Sequence, residues 1–575
     1  MTDGSVWSSL RSDSDPDRPI AELVDSRRLT GPNVIQLRPG AVIDVSVASA
    51  DVDAFIRRWS THTQMMLDAL AWAEQAITTR RVVGGVSMAI SAPIDVLYAA
   101  TEINEWAFQA TVSGASVQAF EQEVARLRAL AAEEANAATM AIADAAARAG
   151  VCCLTDDDEL SVGLGRGSKT FSIEALPDPD QIDWAALYDI PVALVTGVNG
   201  KTTTVRLSTH IAMQAGHNIG VSSTDAIAVN KQVLDRGDYS GPGGARAVLR
   251  QPGVDLAILE TARGGLLRRG LGINQANVAL ITNIAEDHLG DFGSSTVEEL
   301  LAIKWIVATV VADQGELVLN ADDPMLVQRA KDHKGTIVWF GTSNTQLIDR
   351  HVADGGKAAT LRDDSLVWFD GKHWSTLCDI ASIPLTLGGA AKHNIANALA
   401  ATALTGCLGV SVEMIRQGLQ TMAPNDNPGR CNLFTVSDTT VLVDFAHNPD
   451  GLRALVPVAR SLGKQKRFLC CGQAGDRTDE EIRALAKAGW DLEPDAVFVS
   501  ELADYRRGRG PSEVFALIRD EMLNHGAVDS QIIHVDDEHQ ALDRALENAQ
   551  PGDLVIMLAL AEARSIIERL NAATD

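Results

Sequence analysis

The stretch VALVTGVNGKTTT, residues 192–204, decides the fold of this chain. Its apolar run, Val192 to Val195, enters a loop with two glycines that ends at Lys201. A segment with helical spacing follows as far as Ala215, and Gly216 stops it. Strand, glycine loop and helix in this order form the context that a phosphate-binding loop requires.

A loop of this kind binds a polyphosphate with backbone N–H groups that turn inward and with the positive end of the helix dipole. Lys201 would reach the terminal phosphates, and the hydroxyl of Thr202 can ligate Mg²⁺. The general pattern G-x-x-x-x-G-K-[ST] is not met in full, because Val195 occupies the place of its first glycine. The sequence therefore predicts a shorter variant of the loop, which binds a polyphosphate together with Mg²⁺.

Apolar runs of four or five residues alternate with helix-period segments from Pro191 onward, which favours βαβ units on a parallel sheet. The run Leu256 to Leu259 stops at Glu260, and His288 lies shortly after the next run, Val278 to Ile281. Parallel strands end at one shared edge of their sheet, so we expect these two side chains on the side of the phosphate loop. The predicted metal ligands are Thr202, Glu260 and His288.

The predicted fold class is α/β, with three domains. Helical spacing over Phe55 to Thr79 and Val117 to Ala149 predicts a largely helical N-terminal domain. The turn-rich stretch Pro424 to Gly429 separates a central parallel-sheet ATPase domain from a C-terminal Rossmann-like domain, and Pro424 to Pro428 is the expected hinge. The domains are predicted at residues 1–180, 181–428 and 429–575.

Two other segments are interpreted as having no site. The acidic run Asp156 to Glu159 is predicted to be a solvated loop, because four adjacent acids cannot converge on one cation. The run Gly163 to Thr170 imitates a phosphate loop, but no glycine precedes its lysine and no helical pattern follows. We predict a turn there.

The composition excludes several classes of protein. With 76 acidic and 49 basic residues the net charge is −27, which disfavours nucleic-acid binding. The first 20 residues have no signal-peptide pattern, and no apolar run reaches the roughly 18–20 residues that span a bilayer. The seven cysteines form no C-x-x-C motif, so we expect reduced thiols in a cytoplasmic protein.

Further motifs follow the loop along the chain. They are NADDP (320–324), HNIANALAA (393–401) and DFAHNP (444–449). Together with TGVNGKTT (196–203), they resemble the post-sheet motif, the adenine-side motif, the opening of the third domain and the phosphate loop of the Mur ligases. This family uses ATP to form amide bonds between a carboxylate and an amino acid. The resemblance covers approximately residues 190 to 575.

Within that family the sequence is most similar to the Mur-like half of the cyanophycin synthetases, which build an aspartate polymer bearing arginine. The similarity rests on ETARGGLLRRGLG (260–272), GDRTDE (475–480), RGR (507–509) and, near the start, DSRRLTGPN (25–33). Those enzymes carry an ATP-grasp domain between these parts. The stretch from Phe55 to Pro191 is too short and too helical for one, so synthesis of the polymer backbone by this chain alone is not expected.

The resemblance implies a role for each matching residue. Lys201 would hold phosphates, Thr202 and Glu260 would ligate one Mg²⁺ and His288 a second, and Lys304 matches a lysine that relatives can carbamylate. The implied nucleotide-binding residues are Gly197, Asn199, Gly200, Lys201, Thr202, Thr203, Asn283, His393, Asn394, Asn397, Arg430 and Asp444. The implied substrate-binding residues are Thr224, Asp225 and Arg263 for the carboxylate, and His447, Asp476, Arg477, Arg507 and Arg509 for the incoming amino acid. For Arg507 and Arg509 a solvated loop is an equal alternative.

The resulting hypothesis is an ATP-dependent carboxylate–amine ligase that acts through an acyl phosphate. Its expected partners are an amino acid and a carboxylate acceptor, with an aspartyl polymer as one candidate. One alternative is another ligase of the superfamily, extending folate or a muramyl peptide. The other is a non-catalytic partner subunit of a separate companion synthetase.

Overall fold

The computed structural model describes residues 21–114, 116–286, 296–463 and 465–574. His288, a predicted Mg²⁺ ligand, lies outside the described residues. The chain forms two compact units. The first comprises Met1–Gly197, Gly216–Val318 and Gln328–Ile337, and the second comprises Val198–Ala215, Leu319–Val327 and Val338–Asp575.

The N-terminal region of the first unit combines helices with antiparallel strands. Its elements are β1 (Ala21–Leu29), β2 (Gly40–Val47), α1 (Val52–Ala69), β3 (Ile77–Val82), β4 (Gly85–Ser91), α2 (Leu97–Ser113), α3 (Val117–Glu134), α4 (Ala137–Ala149), β5 (Cys153–Thr155), β6 (Glu159–Val162) and β7 (Lys169–Ser172). Within the described residues, one antiparallel sheet has the order β1-β2-β4-β3 and another the order β5-β6-β7. Phe55, Trp59 and Ile103 of α1 and α2 are buried with Ile43 and Ile90 of the first sheet.

Helices α1, α3 and α4 lie in the segments predicted as helical, whereas α2 and the sheets of this region were not predicted. The segment predicted as helical over residues 55–79 is helical only to Ala69, and its last residues already belong to β3. The strands β1 and β3 lie at the two edges of their sheet, and β3 reads ITTRRV. Edge strands carry charged and polar residues, which obscure the alternating pattern by which a strand is recognised.

In the acidic run at residues 156–159, Asp157, Asp158 and Glu159 are exposed, as predicted, whereas Asp156 is partly buried. Arg250 donates to Asp156 Oδ2 at 2.6 Å and to Glu159 Oε2 at 3.0 Å, and Arg28 pairs with Asp157 Oδ1 at 3.0 Å. The side chain of Arg250 is only 10% exposed. The run therefore forms ion pairs with Arg28 and Arg250, which are distant from it in sequence and belong to the same unit.

The phosphate-loop region begins with a strand and a helix, as predicted. Its elements are β8 (Val192–Thr196), α5 (Lys201–Gln214), β9 (Ile219–Ser222), β10 (Ala226–Val229), β11 (Gln232–Arg236), α6 (Pro242–Leu249), β12 (Leu256–Glu260), α7 (Arg263–Arg268), β13 (Ala276–Ile281), α8 (Val297–Lys304) and β14 (Val311–Asn320). In the described part of the first unit the strand order is β11-β10-β9-β12-β8-β13-β14. The strands β9, β12, β8 and β13 run parallel, which confirms the predicted parallel sheet.

The chain continues through a short helix into a second group of strands. The elements are α9 (Pro324–Ala330), β15 (Thr336–Gly341), α10 (Thr345–Ala353), β16 (Ala358–Arg362), β17 (Ser365–Phe369), β18 (Trp374–Asp379), α11 (Lys392–Cys407) and α12 (Val412–Thr421). The strands β15 and β16 are parallel, whereas β16, β17 and β18 are antiparallel neighbours.

The C-terminal part of the second unit is Rossmann-like, as predicted. Its elements are β19 (Asn432–Val436), β20 (Thr439–Asp444), α13 (Pro449–Ser461), β21 (Arg467–Cys471), α14 (Asp479–Trp490), β22 (Ala496–Ser500), α15 (Glu513–Asn524), β23 (Ile532–Val535), α16 (Glu538–Asn548), β24 (Leu554–Leu558) and α17 (Ala563–Thr574). The described strands have the order β19-β20-β24-β21-β22-β23, parallel from β20 onward. Separate apolar cores with α13–α15 and with α16–α17 indicate helices on both faces.

All seven cysteines lie within the described ranges, and each is a free thiol. Cys378, Cys431, Cys470 and Cys471 are buried. Over those same ranges, the search for a helix with the length and apolar character of a membrane span finds none.

Candidate active site

The phosphate loop contains two glycines that no other residue could replace without strain. Gly197 has φ 144° and Gly200 has φ 85°, both in the region that favours glycine. A Cβ atom on Gly197 would lie 1.8 Å from Thr282 Oγ1, and one on Gly200 would lie 2.2 Å from Asn397 Oδ1. Because Gly200 precedes α5 without a side-chain cap, the loop leaves backbone N–H groups of the first turn for an anion. This cradle fits a polyphosphate.

Two lysines contact carbonyl groups of this loop. Lys201 Nζ donates to the carbonyl of Val198 at 2.9 Å. Lys304, the last residue of α8, is only 3% exposed, and its Nζ donates to the carbonyl of Gly197 at 2.6 Å. An ammonium group has three donors, so either lysine can hold a loop carbonyl and still offer a proton to a phosphate oxygen. The charge beside the loop thus suits an anionic ligand, while carbamylation of Lys304 stays a prediction.

Two of the predicted magnesium ligands, Thr202 and Glu260, are hard oxygen donors, which is the chemistry that Mg²⁺ prefers. Thr202 lies in the first turn of α5 and is 4% exposed. Glu260 is the last residue of β12, is 2% exposed, and pairs in register with Val195 of β8. Among the described residues, no group of three or more His, Cys, Asp or Glu side chains is arranged for a metal. The metal set, with His288 outside these residues, stays a prediction.

Helix α11 carries the predicted adenine-side residues. It also contacts the phosphate loop, because Asn397 Oδ1 lies where a Cβ atom of residue 200 would be. Asn397 Nδ2 donates to Asn394 Oδ1 at 3.1 Å, and Asn394 Nδ2 donates to the carbonyl of Leu385 at 2.8 Å. His393 Nε2 lies 3.4 Å from Cys431 Sγ. Burial lowers the pKa of His393, so its imidazole is neutral at pH 7.

Arg430 and Asp444 occupy neighbouring positions in the second unit, as the resemblance implies. The guanidinium carbon of Arg430 lies 4.6 Å from the centroid of the Phe445 ring. Asp444 is 8% exposed and accepts a 2.8 Å hydrogen bond from the backbone N–H of Cys431. A stacked guanidinium beside a buried carboxylate can meet the phosphate and hydroxyl groups of a nucleotide.

Asn448, which belongs to the motif DFAHNP but was not named as a site residue, contacts the phosphate loop. Its Nδ2 donates to Asn199 Oδ1 at 3.0 Å, and its Oδ1 accepts from the N–H of Gly451, which caps α13. Asn448 therefore joins the C-terminal part of the second unit to the phosphate loop. The sequence held a signal for the cap alone, because Asn followed by Pro is typical of a helix start.

Of the residues assigned to the incoming amino acid, Asp476, Arg477 and Arg509 bond within their own loops, whereas Arg507 and His447 lie apart from these contacts. Arg509 Nε donates to the carbonyl of Gly475 at 2.9 Å, and its Nη2 donates to the carbonyl of Arg477 at 2.7 Å. Arg477 is 9% exposed and pairs with Asp476 at 2.8 Å. These contacts give Arg509 a role in holding its loop. Arg507 is exposed, and His447 is held by an Nδ1 contact of 3.1 Å to the carbonyl of Phe445.

The remaining predicted residues lie in the first unit. Thr224 and Asp225 follow β9, Arg263 begins α7 just after β12, and Asn283 follows β13. The strands β12 and β13 are parallel neighbours of β8, and β9 is the parallel neighbour of β12, so these residues share one edge of the sheet with Gly197. Their roles toward a substrate or nucleotide stay predictions.

Comparison with protein families matches two parts of the chain. Residues 195–405 match the model described as the Mur ligase middle domain. Residues 429–559 match the model described as Mur ligase, glutamate ligase domain.

Comparison with known proteins gives relatives of two kinds. A cyanophycin synthetase of Crocosphaera subtropica is 37% identical over 388 residues, which are 66% of this chain and 44% of that protein. A UDP-N-acetylmuramoyl-L-alanyl-D-glutamate--2,6-diaminopimelate ligase of Bacillus cereus is 26% identical over 63% of this chain and 71% of that protein. The chain spans less than half the length of the cyanophycin synthetases that it matches. Among solved structures, E. coli FolC in complex with DHPP and ADP has a TM-score of 0.49 and 20% identity, covering 67% of this chain and 89% of that one.

Proposed function

The chain belongs to the Mur ligase family, and from this premise we propose that it is an ATP-dependent ligase that joins an amino acid to a carboxylate. The observation that carries the proposal is the phosphate loop, in which Gly197 and Gly200 leave no room for a Cβ atom and Lys201 follows directly. A chain without a bound polyphosphate would have no physical need for this strained and open cradle. Because the reaction consumes ATP and the thiols are free, we also propose a cytoplasmic location.

We propose a reaction in two steps. A carboxylate oxygen of the acceptor first attacks the γ-phosphorus of ATP, so that an acyl phosphate forms and ADP leaves. The uncharged amine of the second substrate then attacks the acyl carbon, phosphate leaves, and the amine loses a proton. ATP supplies the driving force, because amide formation from a free carboxylate is unfavourable in water.

The residues of the chain would act by binding and by electrostatic stabilisation. Lys201 and the N-terminal amides of α5 stabilise negative charge on the transferring phosphoryl group. Thr202 and Glu260 would supply oxygen ligands for Mg²⁺, which neutralises phosphate charge when bound. Lys304 holds the loop through the carbonyl of Gly197. No covalent nucleophile of the protein is needed.

For the substrates, we propose an aspartyl-type carboxylate and a basic amino acid, in cyanophycin-like metabolism. Support comes from the 37–38% identity with cyanophycin synthetases and from the motif at residues 260–272. The relation to the B. cereus diaminopimelate ligase favours a second candidate, a ligase that extends a muramyl peptide. A companion synthetase, which would form the polymer backbone, is part of the first proposal only.

The test is to measure phosphate release from ATP and Mg²⁺ with each acceptor in combination with each amino acid. The acceptors are aspartyl peptides, cyanophycin primer, glutamyl peptides and muramyl peptides, and mass spectrometry follows the products. Release that requires an aspartyl acceptor and a basic amino acid, with the matching mass gain, would support the proposal. Release with another pair would keep the ligase and replace the substrate. If no pair gives release, the protein is better described as a non-catalytic subunit.

Replacing Glu260 with glutamine should separate the metal role from the fold. The amide keeps the shape of the side chain but loses its charge, so we expect turnover to fall by about a hundredfold and the Mg²⁺ concentration for half-maximal rate to rise. Phosphate release in a magnesium titration measures both quantities. Glu298→Gln, at an exposed position of α8, is the matched control. A Glu260→Gln enzyme with an unchanged magnesium requirement would remove Glu260 from the metal set.

A further inference from the structure

Asn427 is completely buried in the expected hinge. Its Oδ1 accepts a 3.0 Å hydrogen bond from Arg206 Nη1, and its Nδ2 donates to Thr203 Oγ1 at 3.4 Å. Arginine has donors only, so the amide oxygen must face Arg206 and the amide nitrogen is left for Thr203. Arg206 Nη1 also donates to the carbonyl of Pro428 at 3.0 Å. One buried amide therefore ties the hinge to helix α5.

The tie is made at the part of α5 that the nucleotide would use. Thr203 is in the first turn of the helix, directly after Lys201 and Thr202, and it is 4% exposed. The backbone of this turn is fixed to the end of the phosphate loop by hydrogen bonds such as that from Thr204 N–H to the Gly200 carbonyl. A displacement of Thr203 would therefore also displace the loop.

The far side of the hinge leads directly to the other predicted nucleotide residues. Asn432 Oδ1 accepts from the N–H groups of Gly429 at 2.6 Å and Arg430 at 3.3 Å, and its Nδ2 donates to the carbonyl of Pro424 at 2.7 Å. The hydrogen bond from Asn432 to Pro424 thus joins the two ends of the hinge. Asn427 connects the hinge to α5, and Arg430, three residues later, stacks on Phe445.

We propose that Asn427 is a positioning residue that fixes Arg430 and Asp444 relative to the phosphate loop. A nucleotide held by Lys201 at one end then meets Arg430 at its other end without reordering of the hinge. Asn427 acts through these residues and does not itself touch the nucleotide. This inference rests on the proposed function, and all residues that carry it belong to the second unit.

The test compares two substitutions of Asn427. Asn427→Asp keeps an acceptor for Arg206, and its second oxygen can accept from the hydroxyl of Thr203, so both contacts can persist, whereas Asn427→Leu loses both bonds. We expect the Kd for a non-hydrolysable ATP analogue, measured by calorimetry, to rise about tenfold in Asn427→Leu and much less in Asn427→Asp, a coupling typical of residues in one hydrogen-bond network. In phosphate release the KM for ATP should rise by the same factor, while kcat stays within about twofold, since the interaction contributes to binding alone.

Two further variants keep the test decisive. Arg206→Met removes the partner of the amide oxygen and should raise the Kd in the same direction, even if Asn427→Leu does not fold. Thr421→Val is the matched control. Thr421 is the last residue of α12, and its Oγ1 contacts Nε2 of His210, an exposed contact on the same helix α5, at 2.9 Å. We expect its Kd and KM to equal those of the wild type.

The outcomes separate this inference from the proposed function. Unchanged Kd and KM in Asn427→Leu and in Arg206→Met, with only a lower Tm, would mean a merely structural amide and would overturn the inference. A fall in kcat at unchanged KM would overturn it as well. If the wild-type protein binds no ATP analogue, the proposed function fails and the inference fails with it.

Discussion

Replacing Lys201 with alanine is expected to abolish amine-dependent phosphate release, with a fall of at least about a thousandfold, the upper range for loss of one preorganised charged donor. In the structure the ammonium group rests on the carbonyl of Val198 at 2.9 Å, within the loop that it would serve. Its contribution is to stabilise charge that develops on the phosphoryl group, so the loss should fall on turnover. The glycine cradle of Gly197 and Gly200 does not depend on Lys201, and the fold should survive.

This expectation is measured by coupled phosphate detection under saturating ATP, acceptor and amino acid. Lys372→Ala, at an exposed turn, is the control for loss of one positive charge. The Tm of Lys201→Ala should stay within a few degrees of the wild type, because a half-buried side chain with one carbonyl contact contributes little to stability. A Lys201→Ala enzyme with full amine-dependent turnover would refute the proposed phosphate site.

The largest expected effect on stability comes from Arg250→Met. The guanidinium group of Arg250 donates to Asp156, to Glu159 and to Ser161 Oγ, and only 10% of the side chain is exposed. Methionine fills a similar space but leaves Asp156 without its closest cation. Because the side chains of Asp156 and Glu159 are 30% and 51% exposed, we expect a cost of about 1.5–3 kcal/mol, the range for hydrogen bonds to charged groups, and a lower urea midpoint in tryptophan fluorescence.

A matched control and the pH dependence sharpen this prediction. Arg126→Met breaks the pairs with Glu102 and Glu123 at an exposed position and should cost less than about 1 kcal/mol. Burial acts to raise the pKa of Asp156, but the Glu159 N–H and Arg250 outweigh it, and the pKa lies below the usual 3.8. The ionic part of the stabilisation is therefore present at neutral pH and is lost as the pH falls through the folded pKa, so the difference between wild type and Arg250→Met should shrink below pH 3.8 to what the hydrogen bond to Ser161 contributes. A midpoint difference that does not shrink as the pH is lowered further would contradict an ionic origin.

The parallel strands could be predicted because burial on both faces leaves an unbroken apolar run. The predicted runs Val192 to Val195 and Leu256 to Leu259 each differ from their strands, β8 and β12, by one residue. The phosphate loop was recognisable for a related reason, since glycines and a lysine between a strand and a helix have few other uses. In these cases the physical constraint acts between residues that are close in sequence.

The remainder could not be predicted because its constraints act between distant residues. Asn427 and Thr203 are 224 positions apart, and Asn448 and Asn199 are 249 apart. An asparagine in a turn looks the same whether or not it has such a partner. The ion pair of Asp156 could not be predicted for the same reason, since its partner Arg250 lies 94 residues away.

The buried thiols of β21 have a practical consequence for experiments on this protein. Burial raises the pKa of Cys471 to about 12 and that of Cys470 well above the usual value, so neither is a thiolate at pH 8 in the native state. An alkylating reagent can modify them only in molecules whose second unit has opened. During a chase with iodoacetamide, the fraction of unlabelled Cys470 and Cys471 therefore counts the molecules that have stayed closed, and it does so without an added dye.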